Sequence, residues 1–237
     1  MDKPKKKTTY GLTREQEREA SRFFGRHVSA PKALALFVAS VLCCALPMLL
    51  GLRLWDGIPE IVKTGIITLE GEDDSMPRAV LVFGVPGLFV LLDLICHGQL
   101  WIHQKREELP PKAARLIGRW GIPVVGTLLC PFWIQRAAGE PVTGYPFCAL
   151  GLLLLLTGAH FFDCPRGESF AFRLKPILYK EEAWQKTHRF AGLCWMLAGL
   201  LVMALFYGLG RLPGWSAAIL LLLLLAPIPA ASVFGKN

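Results

Sequence analysis

Six apolar runs separated by short polar stretches set the layout of the chain: residues 33–52, 79–102, 116–138, 145–162, 190–209 and 215–234. The first holds twenty uncharged residues. At about 1.5 Å of rise per residue, a helix of that length matches the ~30 Å hydrocarbon core of a bilayer. Runs such as 150–156 and 217–226 are too uniformly apolar for a half-buried surface helix. The pattern predicts an all-α integral membrane protein with about six transmembrane helices. Pro47 is placed to bend the first, and Gly84, Pro86 and Gly87 permit a kink and close packing in the second. The third run is the weakest. Its clean core, 121–134, contains Pro123 and Pro131, and Arg119 and Arg136 must snorkel from its two ends. Trp120 and Trp133 mark its interfaces, and the alternation of basic loops requires it to span.

Charge fixes the orientation this pattern leaves open. The chain carries 26 Lys and Arg against 18 Asp and Glu, a net charge of +8. Of the basic residues only Arg53, Lys63, Arg78 and Arg211, in the loops after the first and fifth runs, and Arg136, at the far end of the third, fall on one side. The rest gather on the other side, which by the positive-inside rule is the cytosol and holds both termini. The same distribution argues against direct nucleic-acid binding, since the charge follows insertion topology rather than a surface patch. Three sections result: a basic cytosolic tail (1–30), a two-helix module with an acidic external loop (31–115), and a four-helix module (116–237) with a cytosolic loop at 164–189. The tail is charged for about thirty residues before any apolar run, so the first helix also serves as the insertion signal. Thr13 and Gln16 can cap a helix over 14–28, either solvated or lying on anionic lipid. The seven cysteines include no C-x-x-C pair and sit mostly inside apolar runs, as small hydrophobes rather than as a disulfide framework or zinc site.

Candidate chemistry is sparse. Asp93 and His97 lie one helical turn apart inside the second run, where ionisable residues are costly and face a bundle interior. They read as a proton-responsive or ligand-contacting pair, or as a buried hydrogen bond supported by Gln99 and His103. His160 and Asp163 can meet at the end of the fourth run, before Cys164-Pro165 stops the helix. Glu70, Glu72, Asp73 and Asp74 make the external loop acidic: a solvated loop, or a site for a divalent cation or cationic peptide. Residues 61–69 are apolar enough to lie on the membrane surface as a strand or short helix. No phosphate-cradling loop, metalloprotease helix or nucleophile elbow occurs, so no catalytic residue, metal or cofactor is assigned.

The most motif-dense polar stretch is KEEAWQKTHRFAG, residues 180–192. Glu181 and Glu182 favour a helix start, Glu182 and Lys186 form an i,i+4 pair, and Trp184, His188, Ala191 and Trp195 share a face. This stretch resembles the signature of the SdpI family of bacterial multipass membrane proteins. The counterparts are Gly158, the FAFRLKPIL run at 170–178 with Arg173, then Trp184, and Thr187-His188-Arg189-Phe190-Ala191-Gly192. Ala159 stands where the family usually has Asn, and Leu174-Lys175-Pro176 replaces Thr-Pro-Trp. Ile58-Pro59 and Gly71-Glu72-Asp73-Asp74 resemble the short module that often precedes the signature, with Ile61 at its His position. The resemblance implies a cell-membrane protein that protects against a secreted peptide toxin met by the acidic loop. It also implies a cytosolic transcriptional regulator as partner, met by the basic loop through Arg173, Trp184, Thr187, His188, Arg189 and Gly192. The competing reading is a small proton-linked transporter or membrane-embedded enzyme in which Asp93, His97, His160 and Asp163 converge.

Overall fold

The computed structural model describes residues 30–67, 73–105, 112–162, 164 and 171–236. All six apolar runs are helical there: α1 (Pro31–Arg53), α2 (Val80–His103), α3 (Ala114–Ala137), α4 (Tyr145–Phe161), α5 (Glu181–Leu209) and α6 (Gly214–Phe234). Five are long and apolar enough to cross a membrane, and α4 is an apolar helix of 17 residues. Its rise of about 25 Å leaves a mismatch of the size bilayers absorb by local thinning. The chain is thus a multi-pass, all-α membrane protein. The tail helix expected at 14–28, Glu70, Glu72 and Asp163 lie outside the described residues.

Prolines shape four of the helices, α6 among them, whose regular helix stops at Leu225 and resumes at Pro227. In α1 the regular helix stops at Ala45 and resumes at Pro47, because proline lacks an N–H and its ring collides with the carbonyl four residues back. In α2 and α3, Pro86 and Pro123 follow widened π turns at Val80–Gly84 and Ile117–Gly121. Each proline also releases a carbonyl: Pro123 that of Arg119, and Pro131 that of Thr127. The second is taken up from outside the helix. The Tyr207 hydroxyl on α5 donates to the Thr127 carbonyl at 3.2 Å.

α4 and α5 form the closest helix pair, and glycine makes it close. Gly158 and Gly151 on α4 face Gly192 and Gly199 on α5. A methyl added at Gly192 would stand 2.8 Å from the Gly158 carbonyl, and one at Gly199 would stand 2.4 Å from that of Gly151. Lipid offers no hydrophobic drive to bring helices together, so backbone-to-backbone approach of this kind supplies the contact. The glycines expected to do this in α2 do not: Gly87 has nothing within 4 Å, and Gly84 meets only Val80 of its own helix. Around the α4–α5 pair, Leu36, Val82, Ile134, Leu155, Met203 and Tyr207 build a shared core. Leu221 and Leu222 on α6 and Leu88 and Ile95 on α2 point outward, as lipid-facing side chains do.

The helix ends sort onto two faces. On one, Lys32 at the start of α1 donates to the Phe162 carbonyl at the end of α4. On the other, Arg53 at the end of α1 donates to the Phe206 carbonyl in the last turn of α5, at 2.7 Å. That second face also carries an antiparallel hairpin, β1 (Ile61–Ile67) and β2 (Asp73–Pro77), so of the two alternatives for the stretch at 61–69 the strand is the one adopted over its described residues, 61–67. Ile61 pairs with Pro77 and Lys63 with Ser75, and the register slips before Ile67 pairs with Asp73. The Arg78 guanidinium holds the base of the hairpin: it sits 4.6 Å over the Trp55 ring and donates to the Ile58 carbonyl at 3.3 Å.

Candidate functional site

The first turns of α5 fasten the loop that precedes them. Lys180 is extended, and the helix begins at Glu181 with both acids in its first turn, where the helix dipole favours them. Glu182 and Lys186 pair at 2.7 Å on the exposed side. On the buried side the Trp184 indole N–H donates to the Cys164 carbonyl at 2.8 Å. One turn on, the His188 ring stacks on Trp184 with centroids 4.2 Å apart. His188 is wholly buried, and both its nitrogens are used. Nε2 accepts the backbone N–H of Phe172 at 3.1 Å, so Nδ1 carries the hydrogen and donates to the Trp184 carbonyl at 2.9 Å. One tautomer of a neutral imidazole therefore closes the whole arrangement.

Trp184 and His188 thus tie down the loop at two points, Cys164 and Phe172. Phe161, Phe172 and Trp195 pack around His188 and its neighbours, with Phe161 and Phe172 4.7 Å apart. The loop's last part is held as well. Ile177 is buried with Ala183, Trp184 and Ala231, and Lys180 Nζ donates to the Gly235 carbonyl at 2.7 Å. The end of α6 therefore closes over the end of the loop.

The other signature residues divide between inside and outside. Arg173 is exposed and Arg189 half-buried. Thr187 is buried, and its hydroxyl has no hydrogen-bond partner among the described residues. Gly192 belongs to the α4–α5 contact, opposite Gly158. The residues missed from the sequence are mostly backbone groups, the Cys164 carbonyl and the Phe172 amide, which no residue type announces.

Asp93 and His97 belong to a second cluster, between α1, α2 and α3. Their partner is Ser40 of α1, whose Oγ lies 2.7 Å from Asp93 Oδ2 and 3.1 Å from His97 Nε2. The direct carboxylate–imidazole distance is 3.8 Å, beyond a hydrogen bond. The help expected from Gln99 and His103 does not come: Gln99 is exposed, and the buried His103 Nδ1 has no hydrogen-bond partner among the described residues. His160 lies elsewhere. Its ring packs on Phe161, which in turn meets His188 edge-on, so it adjoins the signature cluster rather than Asp93. In the acidic loop, Asp73 and Asp74 open strand β2.

The model of the SdpI/YfhL protein family matches residues 163–232. That segment takes in the loop, all of α5 and most of α6. No curated protein and no solved structure matches the chain. Over residues 163–232 this multi-pass membrane chain is therefore similar to the SdpI/YfhL protein family.

Proposed function

We propose that the protein is an SdpI-type membrane receptor, protecting its cell against a secreted peptide toxin and signalling to a cytosolic regulator. The observation that carries this reading is where the family match falls: on the loop and on the two side chains that fasten it, Trp184 and His188. In this reading the basic loop faces the cytosol, with Arg173, Lys175 and Lys180 exposed toward an acidic surface of the regulator. The hairpin face lies outside, and the acidic loop sequence, Glu70, Glu72, Asp73 and Asp74, meets a cationic toxin. α5 joins the two, since its last turn is tied to Arg53 and its first turns hold the loop. A toxin signals across it only by binding two arrangements of the bundle with different affinity.

The test is survival of a toxin-sensitive Gram-positive host challenged with secreted membrane-active peptides. Cells would express the wild type, the Trp184→Ala/His188→Ala double variant at matched membrane abundance, or Arg173→Ala. Protection by the wild type and Arg173→Ala but not by the double variant is expected. Equal killing of all strains contradicts the reading. The competing transporter or enzyme reading requires Asp93, His97, His160 and Asp163 in one site. Its support is weaker, because Asp93 and His97 sit between α1, α2 and α3 while His160 adjoins Phe161.

A further inference from the structure

The cluster between α1, α2 and α3 poses a question of hydrogen counting. Ser40 and Asp93 are fully buried within the apolar bundle. The Ser40 hydroxyl has one hydrogen, yet its oxygen contacts Asp93 Oδ2 at 2.7 Å, His97 Nε2 at 3.1 Å and the Phe37 carbonyl at 2.9 Å. The last is the back-bond common to helix serines. His97 also makes a hydrogen bond to the Arg119 backbone. Pro123, four residues on, has no N–H to offer the Arg119 carbonyl, so that carbonyl is the free group there. Nε2 faces Ser40, so the bond to Arg119 falls to Nδ1, which carries a hydrogen.

With an ionised carboxyl and a neutral ring, Ser40 would donate to Asp93. The lone pairs of Ser40 Oγ and His97 Nε2 would then face each other at 3.1 Å, and a fully buried carboxylate would be left with one oxygen lacking a donor among the described residues, which is costly. One added proton removes both problems. The Asp93 carboxyl donates to Ser40 and Ser40 donates to His97. In the alternative arrangement all bonds reverse, giving carboxylate, hydroxyl and imidazolium in line, a form the Arg119 cation beside His97 disfavours. In both forms the three side chains together are neutral. Asp93 Oδ1, buried without a donor among the described residues, suits the carbonyl oxygen of a protonated carboxyl better than it suits a carboxylate.

We propose that Ser40, Asp93 and His97 form an intramembrane proton-binding site, in which one exchangeable proton is shared through the serine hydroxyl between carboxyl and imidazole. The inference does not rest on the receptor reading. The imidazole is the less buried end of the site: the His97 side chain is 11% exposed and that of Asp93 is 0% exposed. Arg119 stands beside His97, with Arg115 beyond it, and the thiols of Cys43, Cys44 and Cys96 are the titratable groups facing Asp93. Phe37 closes the ring edge-on at 5.6 Å.

The experiment is infrared difference spectroscopy of the full chain in liposomes, between acid and alkaline buffer. Wild type, Asp93→Asn and Ser40→Ala would be compared. The expected result is a protonated carboxylic carbonyl band in the wild type, exchanged for carboxylate as pH rises. The band should be absent from Asp93→Asn and displaced to higher frequency in Ser40→Ala, where the carboxyl loses its partner. Identical spectra for the wild type and Asp93→Asn overturn the proposal. So does a band that Ser40→Ala leaves in place, and this second criterion decides alone if Asp93→Asn does not fold.

Discussion

At the scale of single residues, the recurring device is a side chain meeting a backbone group on another segment. Trp184 meets the Cys164 carbonyl, His188 the Phe172 amide, Arg53 the Phe206 carbonyl and Tyr207 the Thr127 carbonyl. Inside a membrane such groups have no water to fall back on, so each bond helps satisfy a main-chain polar atom; the Phe206 carbonyl has a second donor, the Gly210 N–H. The Tyr207 case makes a sharp prediction. Tyr207→Phe should destabilise the folded chain by about 1–2 kcal/mol, because the Thr127 carbonyl loses its donor. In a Pro131→Ala background the new N–H at residue 131 can bond that carbonyl, so the same change should cost clearly less. Unfolding in detergent of the four members of the cycle measures the difference as a coupling energy. Equal losses in both backgrounds would contradict the assignment. Little of this level is legible in the sequence. Trp184 and His188 stand out by type and spacing, but their partners are main-chain atoms. Ser40 looks like any small residue in an apolar run and becomes conspicuous only opposite Asp93.

At the scale of elements, the six helices follow directly from the apolar runs, since length and absence of charge suffice to define a span. Where helices touch is harder to read. Gly84 and Gly87 suggest a packing face by proximity in sequence, yet the contact is made by Gly151 and Gly158 against Gly192 and Gly199. The physical signal is spacing: each of those pairs is seven residues apart, two turns, which keeps both glycines on one stripe. Gly192→Ala should therefore destabilise the α4–α5 pair by about 1–3 kcal/mol, as its methyl meets main-chain atoms that cannot turn aside. Gly87→Ala, in open space, should be neutral or slightly stabilising through helix propensity. Thermal unfolding in micelles separates them, and equal midpoints for the two variants would sink the argument. The hairpin is half legible. The apolar stretch at 61–69 leaves strand and helix open, and the pairing with β2, secured by Arg78 over Trp55, decides for the strand.

At the scale of the whole molecule, the chain has two faces joined by one continuous helix. α5 runs for 29 residues, from the acids of its first turn to Gly210, whose φ of 73° ends it. One end is tied to α1 through Arg53, and the other carries the loop. The division of the sequence into a charged helix start and an apolar span conceals that these are one element, and that its first turns are a fastening for residues far back in the chain. The loop therefore stands as a held surface, with Arg173 outward and the signature aromatics inward. Hydrogen–deuterium exchange of residues 171–180, in the wild type and in His188→Ala reconstituted in lipid, tests this held loop. The Phe172 amide and its neighbours should be protected in the wild type and should exchange at least tenfold faster in the variant, with α5 beyond Gly192 unchanged. Equal, fast exchange in both proteins would mean that His188 does not hold the loop.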